Sequence, residues 1–264
     1  MNAVRIDDAA DARISDYRNV PDPELTARRG LFVAEGRLVV ERLLASRRFK
    51  TRSVLVTETA FNSIKATLAT HHELPVYVVD QRVMNAITGF NIHRGCLALG
   101  ERRPYGDWRT IVAGVECVVI LERVGNADNV GSIFRNAAAF GVDAILLGTA
   151  CADPLYRKAI RTSMGAALAV PFAHTDSWPE PLLELSTDAW AVVALTPSAR
   201  STVREVAAAI AGSRTAIVVG HEGEGLTPEA LAGCDHHARI PMGEGTDSLN
   251  VATAIAVALY EFRS

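Results

Sequence analysis

Cysteine is scarce in this chain, and its placement excludes two chemistries. Four cysteines occur in 264 residues: Cys96, Cys117, Cys151 and Cys234. They stand far apart, with no C-x-x-C pair, whereas zinc and dithiol redox sites need closer thiols. No metal is expected, and the thiols should be buried and reduced. The pairs His71-His72 and His236-His237 have no partner cluster and read as solvated loop residues. No run of 18 apolar residues exists, so no membrane helix is expected. The start, MNAVRIDDAADARISDY, is acidic and has no apolar signal region, which fits a cytoplasmic protein. There is no G-x-x-x-x-G-K-[ST], no G-x-G-x-x-G after a first strand and no G-x-S-x-G. P-loop, dinucleotide-binding and nucleophile-elbow chemistries therefore lack their motifs. Repeats and low-complexity tracts are also missing.

What is present is an alternation of strand-like and helix-like segments. At 264 residues and 49% hydrophobic content, one or two domains with real cores are expected. Residues 1–29 are polar, broken by Pro21 and Pro23, and read as a loose lead-in with one short helix. Helical spacing over 36–46, strands at 53–58, 75–80 and 95–101, and helices at 58–70 and 81–88 make residues 30–101 a small α/β unit. Residues 102–114, RRPYGDWRTIVAG, lack a clear period and read as a linker. Residues 115–264 form a second α/β unit. VVILE (118–122) suits a buried parallel strand, and a helix near 129–140 stops at Gly141. DAILLG (143–148), AWAVVAL (189–195), TAIVVG (215–220) and HARIPM (237–242) are further strands. Asp153-Pro154 is expected to cap the helix after 148, Thr202 and Glu205 form a capping box, and Thr227-Pro228 starts a short helix. A helix over 248–262 ends the chain.

Three stretches share one character. ILERVGNADNVGSIFRNAAAFG (120–141), TAIVVGHEGEGL (215–226) and IPMGEGTDSLNV (240–251) each combine an apolar strand, a polar glycine-containing loop and the entry to a helix. Glycines let backbone approach a ligand closely, and free N–H groups at a helix start can hold a polar group. A last helix as apolar as ATAIAVALYEF needs burial on nearly every face. In this order and spacing the three stretches resemble the three motifs of the SpoU (TrmH-like) branch of the SPOUT RNA methyltransferases. The resemblance covers about 115–264. Residues 30–100, with FVAEG at the start and HRGCLAL at the end, look like the substrate-binding domain that often precedes it.

That resemblance implies an α/β fold with a C-terminal trefoil-knotted SPOUT domain, preceded by a smaller α/β, ribosomal protein L30e-like substrate-binding domain. Periodicity alone would give a plain doubly wound sheet, since knots are rare. It also implies an S-adenosyl-L-methionine cofactor and methylation of an RNA ribose 2′-hydroxyl. Asn129 and Arg135 match the first motif's N-x5-R pattern. Removing the hydroxyl's proton leaves an oxyanion that an arginine can stabilise, together with the adjacent phosphate. A guanidinium is a poor base, so electrostatic stabilisation is its main expected role, although the family's arginine is proposed to assist deprotonation. Asn129 either orients Arg135 or caps its helix. Gly220, Glu222, Gly223, Gly225 and Leu226 match the second motif, with His221 where the family usually has Asn. Glu222 is expected to orient Asn129 and Arg135 or the substrate; a plain surface carboxylate is the alternative. Ile240, Pro241, Met242, Gly243, Ser248, Leu249 and Asn250 match the third motif. Ile240, Met242 and Leu249 would form an adenine slot, or simply pack in the core. Ser248 and Asn250 would face the reacting centre. Thr196 and Pro197, after a strand end, are expected as a cofactor wall. In RTSMGA (161–166), Arg161 and Ser163 are candidate phosphate contacts.

The formal net charge of −3 does not advertise a nucleic-acid binder, but its distribution is uneven. Residues 1–109 hold 17 basic and 13 acidic side chains, against 10 and 17 in the remainder. Residues 28–52 alone carry eight basic and two acidic residues, which fits phosphate contact or an ordinary solvated helix face. Ribosomal RNA is preferred over transfer RNA as partner because of the added N-terminal domain. An enzyme that protects the ribosome from an antibiotic would share this layout, and a non-catalytic RNA-binding assembly factor is the alternative of another class. A homodimer through the last helix is expected. If the basic cluster holds RNA, replacing Arg47, Arg48 and Arg52 together by Ala weakens RNA binding. It also flattens the salt dependence by about one unit of slope per lost contact. A salt titration showing unchanged affinity and slope would reduce the cluster to a solvated face.

Overall fold

The computed structural model describes residues 2–18, 21–88, 95–175, 177–243, 245 and 248–263. The chain divides into two units, Met1–Pro104 with Pro154–Ala169, and Tyr105–Asp153 with Val170–Ser264.

The first unit contains β1 (Asn2–Ile6), a 3-10 turn (Ala12–Tyr17), α1 (Asp22–Arg29), β2 (Leu31–Glu35) and α2 (Arg37–Leu44). They are followed by β3 (Lys50–Thr57), α3 (Glu58–Ala69), β4 (Pro75–Val79), α4 (Gln81–Thr88) and β5 (Cys96–Glu101). The strands make one sheet in the order β1-β4-β3-β5-β2. β4 lies parallel to β1 and β3, while β5 runs antiparallel to β3 and β2. The loose lead-in expected over 1–29 is instead built into this sheet. Ile6, Ile14 and Tyr17 are buried against Leu55 and Leu97, and the Tyr17 hydroxyl shares a 2.8 Å hydrogen bond with Ser53 Oγ. Ile6, Ile14 and Tyr17 are spaced among charges without a period, so tertiary packing decides their fate.

The second unit begins with α5 (Trp108–Val112), β6 (Cys117–Leu121), α6 (Ala127–Ala139) and β7 (Ala144–Leu147). The chain then passes through α7 (Arg157–Thr162), which belongs to the first unit and packs on β2. There Arg157 Nε donates to Glu35 at 2.8 Å and the Arg157 amide donates to Asp22 at 3.0 Å. The second unit resumes with β8 (Phe172–His174), α8 (Glu180–Thr187), β9 (Trp190–Leu195) and α9 (Val203–Ala209). It ends with β10 (Arg214–Val219), α10 (Pro228–Ala232), β11 (His236–Ala238) and α11 (Val251–Arg263). Its six strands are all parallel, in the order β11-β9-β10-β6-β7-β8. The apolar runs CVVIL, AILL and WAVVAL are buried almost throughout, as strands covered on both faces require.

Several local expectations hold. Thr202 and Glu205 form the reciprocal capping box of α9, Thr227 caps α10, and Gly141 takes a φ of +67° just past α6. Others are corrected. Asp153-Pro154 does not cap a helix: α7 starts later, after Tyr156, and Asp153 accepts a 3.0 Å hydrogen bond from the Tyr105 hydroxyl. The presumed linker 102–114 contains α5, whose Trp108 is buried in the core of the second unit. The last strand stops at Ala238 and the last helix begins at Val251. The short elements β8 and α8 were not expected.

Cys96 and Cys117 are buried and Cys151 and Cys234 half-buried, all as free thiols. Burial pushes their pKa values up, to about 12 for Cys96 and Cys234 and about 11 for Cys117 and Cys151. Among the described residues no metal-binding cluster occurs, and no helix is long and apolar enough to cross a membrane.

Candidate active site

A chain of hydrogen bonds joins all three glycine-containing loops of the second unit. Asn129 sits in the first turn of α6, just past the β6 loop. It is not the helix cap: Asn126 holds that position, accepting from the Asp128 amide at 2.8 Å. The Asn129 side chain is therefore free for other partners. Its Nδ2 donates to Glu222 in the loop after β10. Its Oδ1 accepts from Asn250 Nδ2 at 2.9 Å. Asn250 Oδ1 in turn accepts from the amides of Ala252 and Thr253, at 3.0 and 3.3 Å, and so caps α11. Each donor faces an acceptor, which fixes both amide orientations. Arg135 lies six residues beyond Asn129 on the same helix and is exposed. Among the described residues, no ion pair or hydrogen bond engages its guanidinium.

Beside this chain lies a cavity of about 440 Å³, within the range of about 300–1,000 Å³ usual for small-molecule sites. Thr196 and Pro197 line it after β9; Gly220, His221, Glu222, Gly223 and Gly225 line it after β10. Ile240, Met242, Ser248 and Leu249 close it from the segment that leads to α11. Every residue expected in the cofactor pocket thus lies on its wall, except Asn250, which is held against Asn129 at its edge. Ile240 and Leu249 are partly buried, and Ile240 also packs against the core cluster around Val193 and Ala258. A larger cleft, about 870 Å³, lies in the first unit and contains none of the motif residues.

The loop over 220–226 is tight. A Cβ on Gly220 would fall 2.5 Å from the Gly225 carbonyl carbon and 2.6 Å from the Leu226 nitrogen, so only glycine fits. Gly225 takes a φ of +72°, which glycine tolerates at no steric cost. Two carboxylates secure the loop. Glu224 pairs with Arg123, two residues past β6, and the guanidinium holds the Glu224 carboxyl below its ordinary value. Glu122 is fully buried and accepts from Trp178 Nε1 at 2.6 Å, the Thr227 amide at 2.8 Å and the Thr227 hydroxyl at 2.7 Å. It clamps the far end of the loop where α10 begins. Sequence reasoning missed Glu122. Its signal is a single carboxylate ending a run of wholly buried residues, a place where an acid must be hydrogen-bonded.

The candidate RNA contacts lie in the first unit. Arg47 and Arg52 are exposed, and Arg48 is half-buried with its guanidinium 5.2 Å from the Phe49 ring centre. Arg161 is exposed on α7. Ser163 is not available on the surface: it is fully buried, its hydroxyl donating to the Ile160 carbonyl at 2.9 Å and accepting from the Ala167 amide at 3.3 Å. The basic stretch is also partly neutralised within the unit. Arg29 pairs with Asp16 and Glu24, and Arg42 donates to the Met164 carbonyl at 2.6 Å.

Residues 116–260 match the model of the SpoU rRNA Methylase family. An uncharacterized tRNA/rRNA methyltransferase of Mycobacterium bovis is 44% identical over 259 residues, covering 96% of this chain and 89% of its own length. A 23S rRNA (guanosine-2′-O-)-methyltransferase of Bordetella pertussis is 32% identical over 174 residues, covering 64% of this chain and 69% of its own. The crystal structure of an AdoMet-bound rRNA methyltransferase from Sinorhizobium meliloti superposes with a TM-score of 0.84 at 25% identity, covering 99% of this chain and 97% of that one. With its three motif loops joined in one unit and the family model spanning more than half of its length, this chain belongs to the SpoU rRNA methylase family.

Proposed function

We propose that the protein transfers a methyl group from S-adenosylmethionine to a ribose 2′-hydroxyl of structured RNA, with ribosomal RNA preferred. The observation that carries this is the hydrogen-bonded chain Glu222–Asn129–Asn250, which puts the three motif loops, an unpaired arginine helix and a ligand-sized cavity in one place. The 2′-hydroxyl reading draws support from the Bordetella relative, and the cofactor from the Sinorhizobium structure, both named for those chemistries.

The residues present fit the cofactor. The cavity offers an apolar slot of Ile240, Met242 and Leu249 for a base, and backbone from the 220–226 loop for its polar edge. The absence of room at Gly220 shows how closely that backbone is folded. S-adenosylmethionine supplies the activated methyl. Arg135 binds the phosphate next to the target nucleotide and stabilises the oxyanion left on the ribose. Glu222 and Asn129 hold the start of α6, and hence Arg135, at a fixed position relative to the cavity. Ser248 faces the same space from the third loop. The family's trefoil knot is part of this reading. The approach of Ile240, Met242, Ser248 and Leu249 to the 220–226 loop, where all line one cavity, supports it.

The first unit serves as the RNA-binding part, through Arg47, Arg48, Arg52 and Arg161. A homodimer through α11 completes the proposal. Tyr260 is 62% and Val257 36% exposed on that helix, and an apolar face of this kind is an association surface. Light scattering at micromolar concentration is expected to give twice the mass of 28.3 kDa; a monomer mass refutes the dimer.

Purified protein with labelled S-adenosylmethionine is expected to label unmodified RNA at a ribose. Label confined to a base atom overturns the assignment. Retained RNA and cofactor binding without any transfer favours the non-catalytic alternative. Arg135→Ala is expected to lower turnover by roughly a hundredfold or more, as for loss of an oxyanion-stabilising group, with S-adenosylmethionine affinity nearly unchanged. Turnover close to wild type in single-turnover assays would remove Arg135 from the chemistry.

A further inference from the structure

We infer that His221 is a positioning residue that holds the 220–226 loop closed by acting as an asparagine substitute, with its proton on Nε2. His221 Nδ1 lies 3.0 Å from the Gly223 amide nitrogen and 3.2 Å from that of Glu224. The His221 carbonyl accepts from the Gly225 amide at 2.9 Å. One residue thus accepts from three successive N–H groups of the loop. Backbone amides only donate, so Nδ1 carries a lone pair and the neutral ring's single N–H is on Nε2.

The arrangement is that of an Asx turn, in which a side-chain acceptor satisfies amides two and three residues on. The acceptor of an asparagine, Oδ1, is one bond beyond Cγ. So is Nδ1 of a histidine. The two side chains therefore reach the same amides from the same backbone position, whereas glutamine carries its acceptor one carbon further out. Both side chains also keep an N–H to offer, although Nε2 stands one atom further from Cγ than an asparagine's Nδ2. Asn offers the N–H groups of its amide, and His221, with Nδ1 occupied, offers Nε2–H. A histidine and an asparagine at this position can therefore make the same two acceptor contacts. It also assigns the ring a task other than acid–base chemistry, since its only lone pair is engaged.

His221 lines the 440 Å³ cavity. Without the acceptor, the Gly223 and Glu224 amides would lose the side-chain partner they have in the loop, while Glu222–Asn129, Glu224–Arg123, the Glu122 clamp and the Gly225–His221 backbone bond would remain. The ring offers the cavity a donor, which suits an acceptor atom on the ligand. The loop geometry stands by itself; that the loop serves S-adenosylmethionine rests on the function proposed above.

The test uses the full-length protein and its His221→Asn, His221→Ala and His221→Gln variants. Nitrogen-15 NMR is expected to show Nδ1 unprotonated and Nε2 protonated in the wild type. The Gly223 and Glu224 amides should exchange slowly in the wild type and the Asn variant, and fast in the Ala and Gln variants. In calorimetry His221→Ala should weaken S-adenosylmethionine binding roughly tenfold, the size expected for two lost hydrogen bonds. His221→Asn should restore the affinity and His221→Gln should not. In turnover assays the loss should appear in KM for the cofactor rather than in kcat. A protonated Nδ1, slow amide exchange in the Ala variant, or an Asn variant no better than Ala each overturns the inference. If the wild type fails to bind S-adenosylmethionine but the tautomer and exchange pattern are as stated, the positioning role stands and the proposed cofactor falls.

Discussion

The side-chain amide of Asn129 must satisfy two loops at once, and the second unit is organised around that demand. An asparagine has one carbonyl to accept and one amino group to donate. A carboxylate only accepts, so Glu222 takes the amino end. The carbonyl end is then left for Asn250, whose own carbonyl faces the first amides of α11. Each orientation dictates the next. The partners are 93 and 121 residues apart in sequence, so the chain of bonds forms only when β6, β10 and α11 are all in place. Hydrogen bonds aligned in this way polarise one another, and loss of any member leaves its neighbours with unsatisfied polar groups.

This arrangement also separates holding from acting. Glu222, Asn129 and Asn250 are engaged with one another, whereas Arg135, two turns along the same helix, has no partner among the described residues. Phe134, next to it, is fully buried and packs edge-on against Phe172 at 5.5 Å. The helix is thereby fixed on its inner face by aromatic packing and at its start by the amide network. An exposed arginine on such a support can meet an outside phosphate without rearrangement of its base.

Much of this was legible in the sequence, for identifiable reasons. The buried strands of the second unit are short continuous apolar runs, and the caps at Thr202 and Thr227 use side chains whose local bonding is strong. The motif loops were placed together by resemblance, not by periodicity, and the cavity brings the expected wall residues onto one surface. What failed to show lacked a local signal. NAVRI and FAH are too short for alternation to register, so β1 and β8 depend on neighbours distant in sequence. Asp153-Pro154 has the look of a helix start, yet a hydrogen bond from Tyr105 takes its carboxylate elsewhere. Ser163 reads as a polar surface residue until its hydroxyl is seen to serve the backbone of a helix end. Glu122 was hidden because a carboxylate at the end of a strand is ordinarily solvent-facing.

The excursion of residues 154–169 into the first unit sets an order of assembly on the ribosome that makes this very chain. Domains generally fold as units as they emerge, but here residues 1–104 emerge without Arg157, the ion-pair partner of Glu35, and without the amide that meets Asp22. Those groups arrive only after β6, α6 and β7 have been synthesised. The amino-terminal half therefore remains unfinished while translation of the carboxy-terminal half is under way, and the two mature in an interleaved sequence. A gene cut at residue 104 would leave the first product without residues 154–169, which the second product would carry in addition to all of its own parts.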